Sequence, residues 1–183
     1  MLLPNANNPE NAKHAAFALA TGWQNYMNST EKLSTCLSHM RKTAIDVICR
    51  EKYADDSVYD SLEKSYINNF ISTEPDFEEI KKTLDALAAI NTDRAISMLL
   101  LFLQGLHQKK CNGTWGNKEN KILPWVINSL GVAQAKSRNV WNLLVVIYRT
   151  DKYSTKERLH AKKALLKIKE AFAAAAAAAN ETK

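Results

Sequence analysis

Glycine and proline are scarce in this chain of 183 residues, at five and four. A fold that turns sharply every few residues draws heavily on both, so a β-sandwich or β-barrel is hard to build from this sequence. Cysteine is rarer still. Cys36, Cys49 and Cys111 are an odd number with no close pair, a pattern of free, buried thiols in a reducing compartment rather than of a disulfide framework. Long hydrophobic runs are missing too. The most apolar stretch, Ile96 to Leu106, is broken by Ser97 and Gln104 and falls short of the roughly 20 residues needed to span a bilayer. The start, Met1-Leu2-Leu3-Pro4, has neither a basic nor an apolar signal region. The expectation is a cytoplasmic protein without a membrane span.

What the chain does have is apolar residues returning every three or four positions. Eight such stretches can be bounded. They run from about Pro9 to Tyr26, Thr30 to Lys52, Asp55 to Phe70, Thr73 to Ile90 and Arg94 to Lys109, then from Asn120 or Lys121 to Gly131, Ser137 to Arg149, and Ser154 through Ile168 into Ala173–Ala179. Caps mark several starts: Asn28-Ser29-Thr30, Asp55-Asp56-Ser57, Thr73-Glu74-Pro75-Asp76 and Ser154-Thr155-Lys156-Glu157. No stretch alternates with period two, so the expected fold is all-α. The fifth stretch is nearly all apolar from Ile96 to Leu103 and is expected to be the most buried. Pro124 is expected inside the first turn of the sixth, where its missing N–H matters least.

A period of about 40 residues recurs. With Ile48, Leu87, Leu130 and Leu165 as anchors, the separations are 39, 43 and 35 residues. Two helices per unit of this length is a solenoid period. Three segments have the look of a second helix in such a unit: Met40-Arg41-Lys42-Thr43-Ala44-Ile45, Ile80-Lys81-Lys82-Thr83-Leu84-Asp85-Ala86-Leu87 and Arg158-Leu159-His160-Ala161-Lys162-Lys163-Ala164-Leu165. On these residues the chain resembles the HEAT-like repeat family from about Ser29 to Ile168. The resemblance implies an α-solenoid of about four stacked antiparallel helix pairs, forming one domain over residues 1–172 with an alanine-rich tail at 173–183. Armadillo-type units and an irregular helical bundle are the alternatives.

Charge is divided along the chain. Residues 1–106 carry 10 Lys and Arg against 14 Asp and Glu, and residues 107–183 carry 15 against 5, within an overall net charge of +6. A clustered positive field attracts acidic or phosphate-rich partners. Lys156, Lys163 and Lys167 gather on one side of the last helix, opposite Ala161, Ala164, Leu165, Ile168 and Phe172, with Lys162 and Lys169 flanking. Lys109, Lys110, Lys118 and Lys121 surround a glycine-containing loop whose one large apolar residue is Trp115, a candidate contact residue. Trp23, Trp125 and Trp141 lie on apolar helix faces and are expected in the core.

Catalytic chemistry finds little support. Phosphate-binding glycine motifs and the Gly-x-Ser-x-Gly elbow are missing, and no cofactor is expected. The acid pairs Asp55-Asp56 and Glu78-Glu79 fall at helix starts, where the dipole explains them. Cys36-x-x-His39 and His107-x-x-x-Cys111 have workable zinc spacing, but structural zinc pairs usually sit on turns, and core or loop thiols with histidines on solvated faces are the expectation. The expectation is a non-enzymatic scaffold or adaptor that docks a protein partner, acidic in character, through Trp115, Lys109, Lys110, Lys118, Lys121, Lys156, Lys163 and Lys167. A HEAT-like nucleic-acid-binding protein using the basic half is the alternative.

Overall fold

The computed structural model describes residues 8–26 and 31–181, and among them every regular element is α-helical. The fold is all-α. Among the described residues eight helices follow one another: α1 (Pro9–Tyr26), α2 (Glu31–Glu51), α3 (Asp56–Ile71), α4 (Phe77–Ile90), α5 (Asp93–Cys111), α6 (Asn117–Val132), α7 (Arg138–Arg149) and α8 (Thr155–Glu181). They are divided between two compact units, Met1–Ala95 and Ile96–Lys183, with the boundary inside the first turn of α5.

In the first unit α1 packs on α2 and α3, and α4 packs on α2 and α3. Small residues let α1 approach closely: Ala12, Ala15 and Ala16 are buried, and a Cβ added to Gly22 would lie 2.8 Å from the Arg41 side chain. The side-chain bonds between α2 and α4 rise together along both helices. Ser38 meets Asp76, Arg41 meets Glu79, Lys42 meets Glu78, and Asp46 meets Lys82. The helices therefore run parallel, offset by 36 to 38 residues, close to the 39 read from Ile48 and Leu87. Asp55 and Asp76 cap α3 and α4 through the backbone amides of Val58 and Glu79. Helix α4 thus starts after Pro75 and not at Thr73, because the Asp76 carboxylate supplies the cap.

In the second unit α8 packs on both α6 and α7. His160 faces Asn128, and Gly131 lies against Ala164, where an added Cβ would come within 3.1 Å of the Ala164 backbone. These offsets of 32 and 33 residues again describe parallel helices, near the 35 read from Leu130 and Leu165. The core is built from Leu99, Leu103, Leu106, Ile122, Val126, Ile127, Leu144, Ile147 and Ile168.

Four expectations change. Helix α5 is not the most buried, since Ser97, Leu101, Gln104, Gly105 and Gln108 form an open face with Leu101 60% exposed; α4 exposes only Glu78, Lys81 and Asp85. Helix α6 begins at Asn117, three residues early, because Glu119 accepts the Gly116 amide at 3.0 Å and caps it. Pro124 therefore lies inside the helix, past the first turn, and denies the Asn120 carbonyl its usual helical donor. Cys36 and Cys111 are exposed and Cys49 is half-buried, so the thiols are not core residues. No helix among the described residues is long and apolar enough to cross a membrane.

Candidate functional site

The end of α5 and the loop after it form a braced corner. Lys109 Nζ lies 2.8 Å from Glu119 Oε1, while the other oxygen of the same carboxylate caps α6. Lys110 Nζ lies 3.2 Å from Glu157 Oε1, and Glu157 Oε2 accepts the Ser154 amide at 2.6 Å. Two successive lysines thus each grip a glutamate that caps a different helix. Burial pushes the Glu119 carboxyl up, but the bond from Lys109, the Lys109 charge and the backbone amides of Glu119 and Gly116 together more than offset it, and its pKa falls below the ordinary value.

Trp115 belongs to the same corner. It is half-buried, its Nε1 donates to Asn120 Oδ1 at 2.6 Å, and Lys110 Nζ sits 4.2 Å above its ring. Lys118 and Lys121 stand on the first turns of α6. Beneath the corner, Tyr153 is buried with its hydroxyl 2.6 Å from His107 Nδ1, and Cys111 Sγ lies 3.6 Å from His107 Nε2. Burial, helped by the Lys152 charge, holds the His107 pKa below the usual 6.5, and burial pushes the Tyr153 phenol up. The spacing-predicted pair His107 and Cys111 does come together. Among the described residues, however, no group of three His, Cys, Asp or Glu is placed to hold a metal.

Helix α8 carries its cations on two separate edges. Lys156, Lys163 and Lys167 are exposed on the edge of His160, which reaches toward α6, and none has an ion-pair partner among the described residues. The other edge faces α7. There the residues of α8 from Thr155 to Lys169 and those of α7 from Trp141 to Arg149 line two adjoining hollows of about 420 and 240 Å³. Tyr148, Arg149 and Lys162 line both, so the hollows form one groove. At 1.5 Å per residue its α8 wall is about 21 Å long.

The groove has an apolar floor and a cationic rim. Trp141, Val145, Tyr148, Leu159, Leu165 and Leu166 supply the apolar surface, with Leu159 49% and Leu166 50% exposed. Arg149, Lys162 and Lys169 have no ion-pair partner among the described residues, whereas Arg158 pairs with Asp151 at 3.0 Å. No Asp or Glu lines either hollow. The hollow between α1 and α2, about 660 Å³, is lined by Asn11, His14, His39, Met40 and Val47 among others, and its one Lys or Arg among the described residues, Arg50, already pairs with Glu51.

The helical wheel read from sequence treats Lys162 and Lys169 as flanking residues and leaves Leu159 and Leu166 unassigned. Their signal was present in the spacing. Positions 155, 159, 162, 166 and 169 recur every three or four residues, just as the buried positions 157, 161, 164, 168 and 171 do. Helix α8 therefore has one seam that is covered and one that is open. Trp141 and Trp125 are half-exposed rather than core residues, and the Trp23 side chain lies outside the described residues. No protein family, curated protein or solved structure matches this chain.

Proposed function

We propose that this chain is a non-enzymatic docking protein, built from helix pairs of the HEAT-like kind, that holds a protein partner along the α7/α8 groove. The observation that carries this reading is the open seam of α8: a groove wall some 21 Å long that exposes Leu159 and Leu166, faces Trp141, Val145 and Tyr148 of α7, and has Arg149, Lys162 and Lys169 but no carboxylate among its lining residues. The parallel register of α2 with α4 and of α6 with α8 supports the helix-pair organisation. Lys109, Lys110 and Trp115 brace the corner that fixes the start of α8, and so act on the surface by shaping it.

The second reading is nucleic-acid binding, favoured by the row Lys156, Lys163 and Lys167 on the opposite edge. Phosphate contacts of that type release counterions, so binding falls steeply with salt.

A photo-crosslinking side chain placed at Leu166, and separately at Lys163, tests both readings in a nuclease-treated extract of the native source. Discrete protein adducts from position 166 and none from 163 are expected. Equal labelling from both positions overturns the docking reading, as does retention of the protein on arbitrary DNA that is lost on substituting Lys156, Lys163 and Lys167.

A further inference from the structure

We infer that the occupant of the α7/α8 groove is an amphipathic helix of three to four turns, with an aliphatic seam and acidic residues along its flanks. This rests on the docking reading above and specifies the partner's chemistry.

Length is the first argument. The groove wall from Thr155 to Lys169 matches a helix of about 14 residues. Backbone chemistry is the second. Both walls are helices, whose amides and carbonyls are bonded internally except at their ends. An extended peptide in the groove would find no edge to pair with and would lose water from its own backbone groups without replacement. A helical occupant brings those groups already satisfied.

Spacing is the third argument. Leu159 and Leu166 stand one heptad apart on the open seam, with Lys162 between them. A facing helix with apolar residues every three or four positions can set its side chains between these two leucines and against Val145 and Tyr148. Charge is the fourth. Arg149 on the α7 side, with Lys162 and Lys169 on the α8 side, places cations on both banks. A helix lying between them meets Arg149 on one side and Lys162 and Lys169 on the other, with no lining carboxylate, so Asp and Glu on its flanks are favoured over Lys and Arg.

The test uses the full chain and labelled, stapled helical peptides of about 16 residues. One carries a leucine seam flanked by Glu, the second has every Glu replaced by Lys, and the third has the first sequence, unstapled, with two central prolines. The acidic helix is expected to bind, and the Lys and proline peptides to bind at least about tenfold more weakly. K162E and Leu166→Asp should each weaken the acidic helix about tenfold, while Lys163→Glu on the other edge leaves it within about twofold. Both groove positions are exposed, and an unchanged melting curve verifies that each variant folds.

Equal binding of the Glu and Lys peptides overturns the inference, as does no binding of either. Equal binding of the proline peptide replaces the helix with an extended occupant. Tighter binding of a thymidine oligonucleotide, lost in K162E, replaces it with nucleic acid. A concentration-dependent dimer abolished by Leu166→Asp replaces it with a second copy of this chain. Protein adducts from position 166 alongside a failed peptide assay leave the docking reading standing and remove only the occupant's chemistry. Loss of both removes the reading as well.

Discussion

Arg41 on α2 and Glu79 on α4 face each other at 3.0 Å, with side chains 3% and 0% exposed. The Glu79 carboxylate also accepts the Ser65 hydroxyl from α3 at 2.8 Å, so one buried anion ties three helices together. Thr83 and Asn69 extend the polar cluster through further bonds to Ser65. Such a cluster fixes register: sliding α2 one turn along α4 would part Arg41 from Glu79 and leave the buried carboxylate without its guanidinium.

Removing one partner of this pair leaves the other charged and buried. Glu79→Ala is expected to destabilise the chain by about 3–5 kcal/mol, measured by urea unfolding. The double change Arg41→Met with Glu79→Leu, which removes both charges and keeps volume, is expected to lie much closer to the parent. A single variant as mild as the double one would show that the pair does not organise the unit.

Acidification is expected to destabilise the protein in two steps. Burial holds the pKa values of His107 and His160 below 6.5, with neighbouring lysines adding to the effect. Below pH 6.5 the unfolded chain takes up protons that the folded chain refuses, so stability falls as pH drops through the folded values. Burial pushes the Asp76 carboxyl up, but the Ser38 hydroxyl, the Glu79 amide and Lys42 more than offset it; Asp76 and Glu119 both lie below their ordinary 3.8 and 4.5. Their contribution is complete above those values and is lost as pH falls through the folded ones. Glu79 runs the other way: burial raises it, with Arg41 and Ser65 opposing, so its share declines as pH rises through its folded value. Urea midpoints at half-unit pH steps measure the sum, and His107→Gln should flatten the upper step.

Helices α6 and α8 touch where Gly131 leaves room for Ala164. A Cβ at position 131 would come within 3.1 Å of both the Ala164 Cα and Cβ, and backbone cannot swing aside as a side chain does. Gly131→Val is expected to lower stability by about 1–3 kcal/mol through overpacking. Because α8 would be displaced from α6, peptide binding in the groove should weaken as well. Thermal melting and the anisotropy assay, run on the same sample, check both.

The start of α8 depends on Glu157, which caps the Ser154 amide and holds Lys110. Ser154→Ala removes one side of the reciprocal cap and is expected to cost about 1 kcal/mol. Glu157→Ala removes the other side and leaves Lys110 without its carboxylate, so a loss of about 2 kcal/mol or more is expected. The order of the two, read from chemical denaturation, is the informative result.

Periodicity and capping chemistry determined the helices. The bounds of α1 were legible from Pro9 and the spacing of Ala12, Ala15 and Ala16, and the cap of α8 from Ser154 and Glu157 three residues on, because both signals are local. The start of α6 was not legible: its cap is a glutamate reaching back to a glycine amide, a pattern without the usual hydroxyl. Two of the separations read from the sequence, 39 and 35 residues, have counterparts in the parallel registers of α2 with α4 and of α6 with α8, offset by 36 to 38 and by 32 to 33 residues.

Which cations stay open was decided only in three dimensions. Lys109, Lys110 and Lys162 look alike in composition, yet the first two meet buried glutamates 10 and 47 positions away, and the third faces an open groove. A single helical wheel cannot separate the covered seam of α8 from its open one, because that depends on where α6 and α7 end against it. Sequence sets the period of a helix's faces through the backbone's 3.6-residue turn; which face meets a neighbour and which meets water is a property of packing.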